Sequence, residues 1–165
     1  MKAIYEAQGL YKWYGRKAAL NGATFSVQPG KLVGLLGPNG SGKTTLLKIS
    51  AGLLTANGGE VRIDGQRPGI ATRQVTSYLP DRMSLPTEMR AEDAVSLYED
   101  FFTDFDAGKA RAMLADLHIE ARDRIGAMSK GTQEKMQLCL TMSRAAKLYL
   151  LDEPLGGVDP AERVY

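Results

Sequence analysis

Cysteine is almost missing from this sequence. Cys139 is the only one in 165 residues, so no intrachain disulfide can form, and the usage suits a reducing compartment. Histidine is equally scarce, and His118 falls near the end of a predicted helix, where a structural role is the expected one. No apolar run approaches the ~20 residues that span a bilayer. Met1–Glu6 is followed by no apolar stretch of the kind a signal peptide needs. Low-complexity tracts and internal repeats are lacking too. The net charge is only +2, too small by itself to point to a nucleic-acid binder. What remains is the composition of an ordinary soluble domain, long enough to bury a core.

One stretch organises the rest. Gly37-Pro38-Asn39-Gly40-Ser41-Gly42-Lys43-Thr44 fits G-x-x-x-x-G-K-[ST], the phosphate-binding loop. A triphosphate needs many donors close together, and only backbone poor in side chains lets N–H groups wrap around it. The three glycines supply positive φ angles and close approach. Lys43 is placed to reach the β- and γ-phosphates, and Thr44 to offer a hydroxyl to Mg²⁺. Leu32–Leu36 reads as a buried strand entering the loop. Residues from Thr44 and Thr45 to Ala51 read as a helix leaving it, with Gly52 as its stop. The N-terminus of that helix would point its partial positive charge at the phosphates. A dinucleotide fingerprint is excluded, because Gly40-Ser41-Gly42 would need glycine or alanine where Thr45 stands. No Asn-Lys-x-Asp guanine motif occurs either.

Alternation predicts strands at Lys2–Gln8 and Ala23–Val27, the second ended by Gln28-Pro29-Gly30. Between them Tyr11, Trp13 and Tyr14 crowd three aromatics into four positions, a stacking platform for a purine that any of the three rings could provide. Strands are also expected at Glu60–Gly65 and Gln74–Leu79, the latter stopped by Pro80 ahead of a loop starting at Asp81. The pattern then turns helical. Ala94, Val95, Tyr98, Phe101 and Phe102 recur at helical spacing over Ala91–Phe102. Asp106 reads as the N-cap of a helix whose apolar face is Ala110, Met113, Leu114 and Leu117. Ser129 caps another, with Met136, Cys139, Leu140 and Ser143 on one face. Lys147–Leu151 is an apolar strand delivering Asp152-Glu153. In a phosphate-loop protein such a strand brings an aspartate to the metal, here Asp152. It leaves Glu153 to polarise a water against the γ-phosphate. Gly156–Pro160 reads as a turn into a helix capped by Asp159.

Together these residues resemble the ATP-binding subunit of ABC transporters, collinearly from Lys2 to Tyr165. The resemblance makes Gly37–Thr44 the Walker A motif and Leu148–Asp152 the Walker B motif, and makes Glu153 the catalytic glutamate. It selects Tyr14 as the ring that stacks on adenine. Met128-Ser129-Lys130-Gly131-Thr132 corresponds to the LSGGQ signature, with Lys130 and Thr132 departing from it while Ser129 and Gly131 match. Asp159 matches the D-loop aspartate. The interval from Lys43 to Ser129 is that of transporter subunits, without the long coiled coil of chromosome-organising relatives. The motif details are most similar to ABC-2-type exporters, including the YtrB-like branch.

The resemblance implies an α/β fold: a P-loop core with a parallel sheet flanked by helices, an N-terminal antiparallel β portion, and an inserted helical subdomain. It implies a single domain over 1–165, with 1–87 and 144–165 forming the ATP-binding core and 88–143 the helical subdomain. The implied cofactors are ATP and Mg²⁺. The implied partners are a transmembrane permease subunit and a second ATPase subunit, in a homodimer or heterodimer on the cytoplasmic face of the membrane. Nucleic acid is not among them. Two departures stand out. Asp81 occupies the Q-loop position where a glutamine is expected, and remains a candidate Mg²⁺ ligand. The switch histidine of the family has no counterpart up to Tyr165. The chain is therefore read as C-terminally truncated, and expected to bind nucleotide but hydrolyse it weakly. The rival readings are a soluble non-transport ABC ATPase and a nucleotide-binding regulatory module without turnover.

Overall fold

In the computed structural model, residues 2–154 are described, and they fall into two compact units. The first contains the chain up to Thr76 together with Ala146–Asp152, and the second contains Ser77–Ala145 and continues from Glu153.

In the first unit β1 (Tyr5–Tyr14) lies between β2 (Lys17–Val27) and β3 (Gly58–Ile63), antiparallel to both. Tyr5 is paired with Val27 on one side and Ile63 on the other. The strands are longer than alternation alone predicted. β1 runs past Gln8 through all three aromatics, and β2 starts at Lys17 rather than Ala23. The register slips after Ala7 on one edge and after Gln8 on the other, around Gly9. These bulges break the alternation that a sequence reader follows. Gly59 is obligatory here, since a β-carbon would fall 2.0 Å from the Gly9 carbonyl oxygen.

Helix α1 (Lys43–Ser50) packs on this sheet, with Leu46 and Ile49 joining Ile4, Leu10, Leu20, Val61 and Ile63 in one core. The Tyr5 hydroxyl and Ser50 Oγ share a buried hydrogen bond of 2.8 Å. The helix stops as expected. Gly52 takes φ +70°, and the Gly52 and Leu53 N–H groups donate back to the carbonyls of Ile49 and Lys48. After β3 comes a short helix, α2 (Ile70–Val75), which the sequence did not announce. It claims Gln74 and Val75, so β4 is only Thr76–Leu79. The last strand, β5 (Leu148–Leu151), begins one residue after Lys147, and only Leu150 of the four is buried.

One expectation is overturned. Leu32–Leu36 is not a strand and is not buried: Leu32 is 100% exposed and Leu36 96%. Only Leu35 packs against the core of its unit. An apolar run without a polar face needs neighbours on both edges and cover on both faces. Among the described residues this run has no ladder partner.

The second unit is helical. Its helices are α3 (Ala91–Phe101), α4 (Ala107–Asp116) and α5 (Lys130–Met142). They bury Ala94, Val95, Ala110, Leu114, Met136 and Leu140 of the periodic set around Ile125, whereas Phe101 and Leu117, expected on the same faces, are exposed at the helix ends. The expected caps are present. Asp106 accepts from the Lys109 N–H at 2.8 Å, and Ser129 from the Thr132 N–H at 3.1 Å. Just past the Leu117 C-cap of α4, His118 takes the left-handed φ of +57° usually given to glycine and leaves Ile119 to bond back to Leu114. Arg144 is the unforeseen residue of this unit. It is only 4% exposed, pairs through two hydrogen bonds with Asp104 (2.9 and 3.1 Å), and lies 4.0 Å over the Phe102 ring.

Candidate functional site

The glycine-rich loop sits at the N-terminus of α1, as its sequence requires. Gly42 is the cap residue, with φ +94°, and a β-carbon there would fall 2.1 Å from the Ala19 carbonyl oxygen of β2. Gly42 thus meets two demands at once, a left-handed backbone and a close approach of two chain segments. Gly40 also lies in the left-handed region, at φ +79°. Pro38 and Ser41 close a turn through a backbone hydrogen bond of 3.2 Å, and Asn39 and Gly40 lie inside it. From Gly37 to Ser41 the loop is exposed. The Lys43 ammonium folds back over it and donates to the carbonyls of Gly37 (2.8 Å) and Pro38 (3.0 Å). A cation held by loop carbonyls, at a helix N-terminus, is a receptor for a polyanion.

The next contact links the loop to the far end of its unit. Thr44 Oγ1 donates to Asp152 Oδ1 at 3.0 Å, across 108 positions of sequence. Strand β5 delivers Asp152, which is 3% exposed, to the first turn of α1. A hydroxyl and a carboxylate oxygen side by side are hard donors. They suit Mg²⁺, which takes one or two protein ligands and completes its shell with water and phosphate. Among the described residues no cluster of three or more histidine, cysteine, aspartate or glutamate side chains exists, and such a cation needs none. Thr45 follows in the same turn of α1, half-buried.

The aromatics at the end of β1 sort themselves out. Tyr11 and Trp13 stack on each other, with centroids 5.4 Å apart and planes 19° from parallel. Tyr14 ends the strand with its ring half exposed, and the Lys12 ammonium lies 5.5 Å from its centroid. Lys12 is itself held by the Thr55 carbonyl at 2.8 Å.

The remaining sequence-derived residues lie in the second unit. Ser129 caps α5, its hydroxyl 2.8 Å from that of Thr132. Lys130 and Gly131 form the first turn. Lys130 also pairs with Glu134 one turn on. Asp81 is exposed, in the loop after β4. Glu153 is exposed with φ +49°, a region that costs a side-chain-bearing residue energy and is enriched at functional sites. Asp159 lies outside the described residues. Lys17 was missed by sequence reading. It lies across the β1–β2 hairpin from Tyr14, and its Nζ is 3.7 Å from where a β-carbon on Gly40 would project. The turn Gly15-Arg16 was the available signal, since it folds β2 back beside the aromatic.

A family model described as ABC transporter matches residues 20–156. The Nod factor export ATP-binding protein I of Burkholderia orbicola is 33% identical over 98% of the chain, which spans 56% of that relative's length. The SkfA peptide export ATP-binding protein SkfE of Bacillus subtilis is 31% identical over 94% of the chain and 68% of its own length. Among solved structures, an ABC transporter ATP-binding protein from Pyrococcus furiosus superposes with a TM-score of 0.82 at 27% identity. That match covers 96% of this chain and 80% of the other. The chain thus spans little more than half the length of some curated relatives it matches.

Proposed function

The chain belongs to the ABC transporter family, and on that premise we propose that it is the ATP-binding and ATP-hydrolysing part of an ABC transporter. It drives substrate movement, in the export direction, through a separate membrane-spanning permease. The export direction rests on the relatives, whose names describe export. No helix among the described residues is long and apolar enough to cross a membrane. In this reading the pore belongs to the permease, and the chain works at its cytoplasmic face.

The observation that carries this reading is the Thr44–Asp152 hydrogen bond beneath the glycine loop. It joins the two motifs that a magnesium-nucleotide site requires. Loop N–H groups and Lys43 hold the phosphates, while Thr44 and Asp152 hold Mg²⁺, which when bound neutralises charge on the transferring phosphoryl group. Asp81 is a further metal ligand in this scheme. Glu153 orients and deprotonates the attacking water. Tyr14, half exposed at the end of β1, takes the adenine. The helical segment 88–143 presents Ser129–Thr132 to the nucleotide of a second ATPase subunit; the D-loop role of Asp159 rests on the family resemblance alone. ATP held between two subunits favours the closed pair, and hydrolysis releases it.

The test is nucleotide binding by calorimetry. The parent chain binds Mg-ATP, and Lys43→Ala abolishes the binding by removing the cation that pairs with the phosphates. Undiminished affinity in that variant overturns the assignment of the loop.

A further inference from the structure

We infer that Lys17 is a second phosphate-binding cation of this site, delivered by the β1–β2 hairpin rather than by the glycine loop. The inference rests on the nucleotide reading above and deepens it. Strand β2 runs against the loop at two points. The Ala19 carbonyl occupies the space a side chain on Gly42 would need, and the Lys17 ammonium stands over Gly40, 3.7 Å from the position of a β-carbon there. The two contacts run in step: Lys17 meets Gly40 through its side chain and Ala19 meets Gly42 through its backbone carbonyl, so two residues along β2 match two along the loop.

Lys17 also pairs with Tyr14 across the hairpin. An adenine on the Tyr14 ring and phosphates in the loop therefore leave the Lys17 ammonium beside the phosphate chain. Its side chain is exposed, so it can reach a phosphate oxygen without first being freed from a partner in a buried site. Lys43 starts from carbonyl partners that it must exchange for phosphate. The exposed Lys17 gives the incoming polyanion a cation before that exchange. It donates charge-assisted hydrogen bonds and takes no part in proton transfer.

The experiment measures ATP affinity of the parent, Lys17→Gln, Lys17→Arg and Lys31→Gln at low and moderate salt, with thermal midpoints as the check on folding. Lys31 is an exposed lysine outside the glycine loop and controls for net charge. Lys17→Gln weakens ATP about tenfold and flattens the salt dependence, because one ion-pair contact is gone. Lys17→Arg restores most of the affinity, Lys31→Gln changes nothing, and adenosine, which has no phosphate, binds parent and Lys17→Gln alike. Unchanged ATP affinity in Lys17→Gln overturns the inference. So does an equal loss in Lys17→Arg, or a matching loss of adenosine, since either means that the lysine only shapes the hairpin. If the parent binds ATP and Lys43→Ala does not, a silent Lys17→Gln sinks this inference alone. A parent that binds no ATP sinks the nucleotide reading, and this inference with it.

Discussion

The two units of this chain solve the same problem by different means. The helical unit closes its own core. Its helices α3, α4 and α5 carry their own backbone hydrogen bonds, α4 and α5 are capped by Asp106 and Ser129, and together they bury Ala94, Val95, Leu114, Met136 and Leu140. The phosphate-loop unit has a finished three-stranded sheet and an unfinished run, Leu32–Leu36, whose leucines at 32 and 36 face water. A helix needs only itself to pair its backbone and one apolar stripe to hold its place. A strand needs neighbours that its own sequence does not supply.

The largest way to break this contrast is in the helical unit. Arg144→Met leaves the Asp104 carboxylate without its buried guanidinium and should cost about 3–5 kcal/mol of stability. Denaturant unfolding measures it. A double variant that also carries Asp104→Asn should recover much of the loss, because no unpaired charge then remains.

A smaller pair of changes sharpens the contrast. Leu140→Ala opens a cavity among the helices and should cost about 2–5 kcal/mol. Leu36→Ala in this chain removes a side chain already in water and should fall within about 0.5 kcal/mol. Similar losses at the two positions would mean that the run at 32–36 is packed after all.

The smallest effect is electrostatic. The Arg111 guanidinium, hydrogen-bonded to Glu92, holds that carboxyl below the ordinary glutamate range, against partial burial and the nearby Asp93. The folded value is the depressed one. The pair therefore stabilises the fold at all pH above the unfolded glutamate value, and the contribution fades as pH falls through the folded value. Both side chains are more than a third exposed, so solvent screening keeps it well below about 1 kcal/mol. Thermal midpoints of the parent and Glu92→Gln should differ slightly at neutral pH and converge in acid.

The same contrast decided what the sequence could reveal. The helices α3, α4 and α5 were legible nearly to the residue, because cap and periodicity are both local. Helix α2 was not, since six residues show too little of a stripe, and Val75 runs straight into β4. Leu32–Leu36 was legible as apolar but not as exposed, because its environment depends on residues far away in sequence. Arg144 carries no local signal; its partner Asp104 is forty positions away. In the site, the glycine loop, Lys43, Thr44 and Asp152 were named by motif, and the structure brings them together through one hydrogen bond. Lys17 carries no motif. Only the hairpin that turns β2 back along the loop puts it there.

The claim on which the rest depends is that Thr44 and Asp152 form the metal end of a nucleotide site. The most direct test compares ATP affinity with and without Mg²⁺ in the parent and in Asp152→Asn, which keeps the size of the side chain and removes its charge. The parent should bind ATP more tightly when Mg²⁺ is present. Asp152→Asn should retain the magnesium-free affinity, which the loop supplies, and lose the gain from the metal. An undiminished gain from Mg²⁺ in Asp152→Asn would contradict the account.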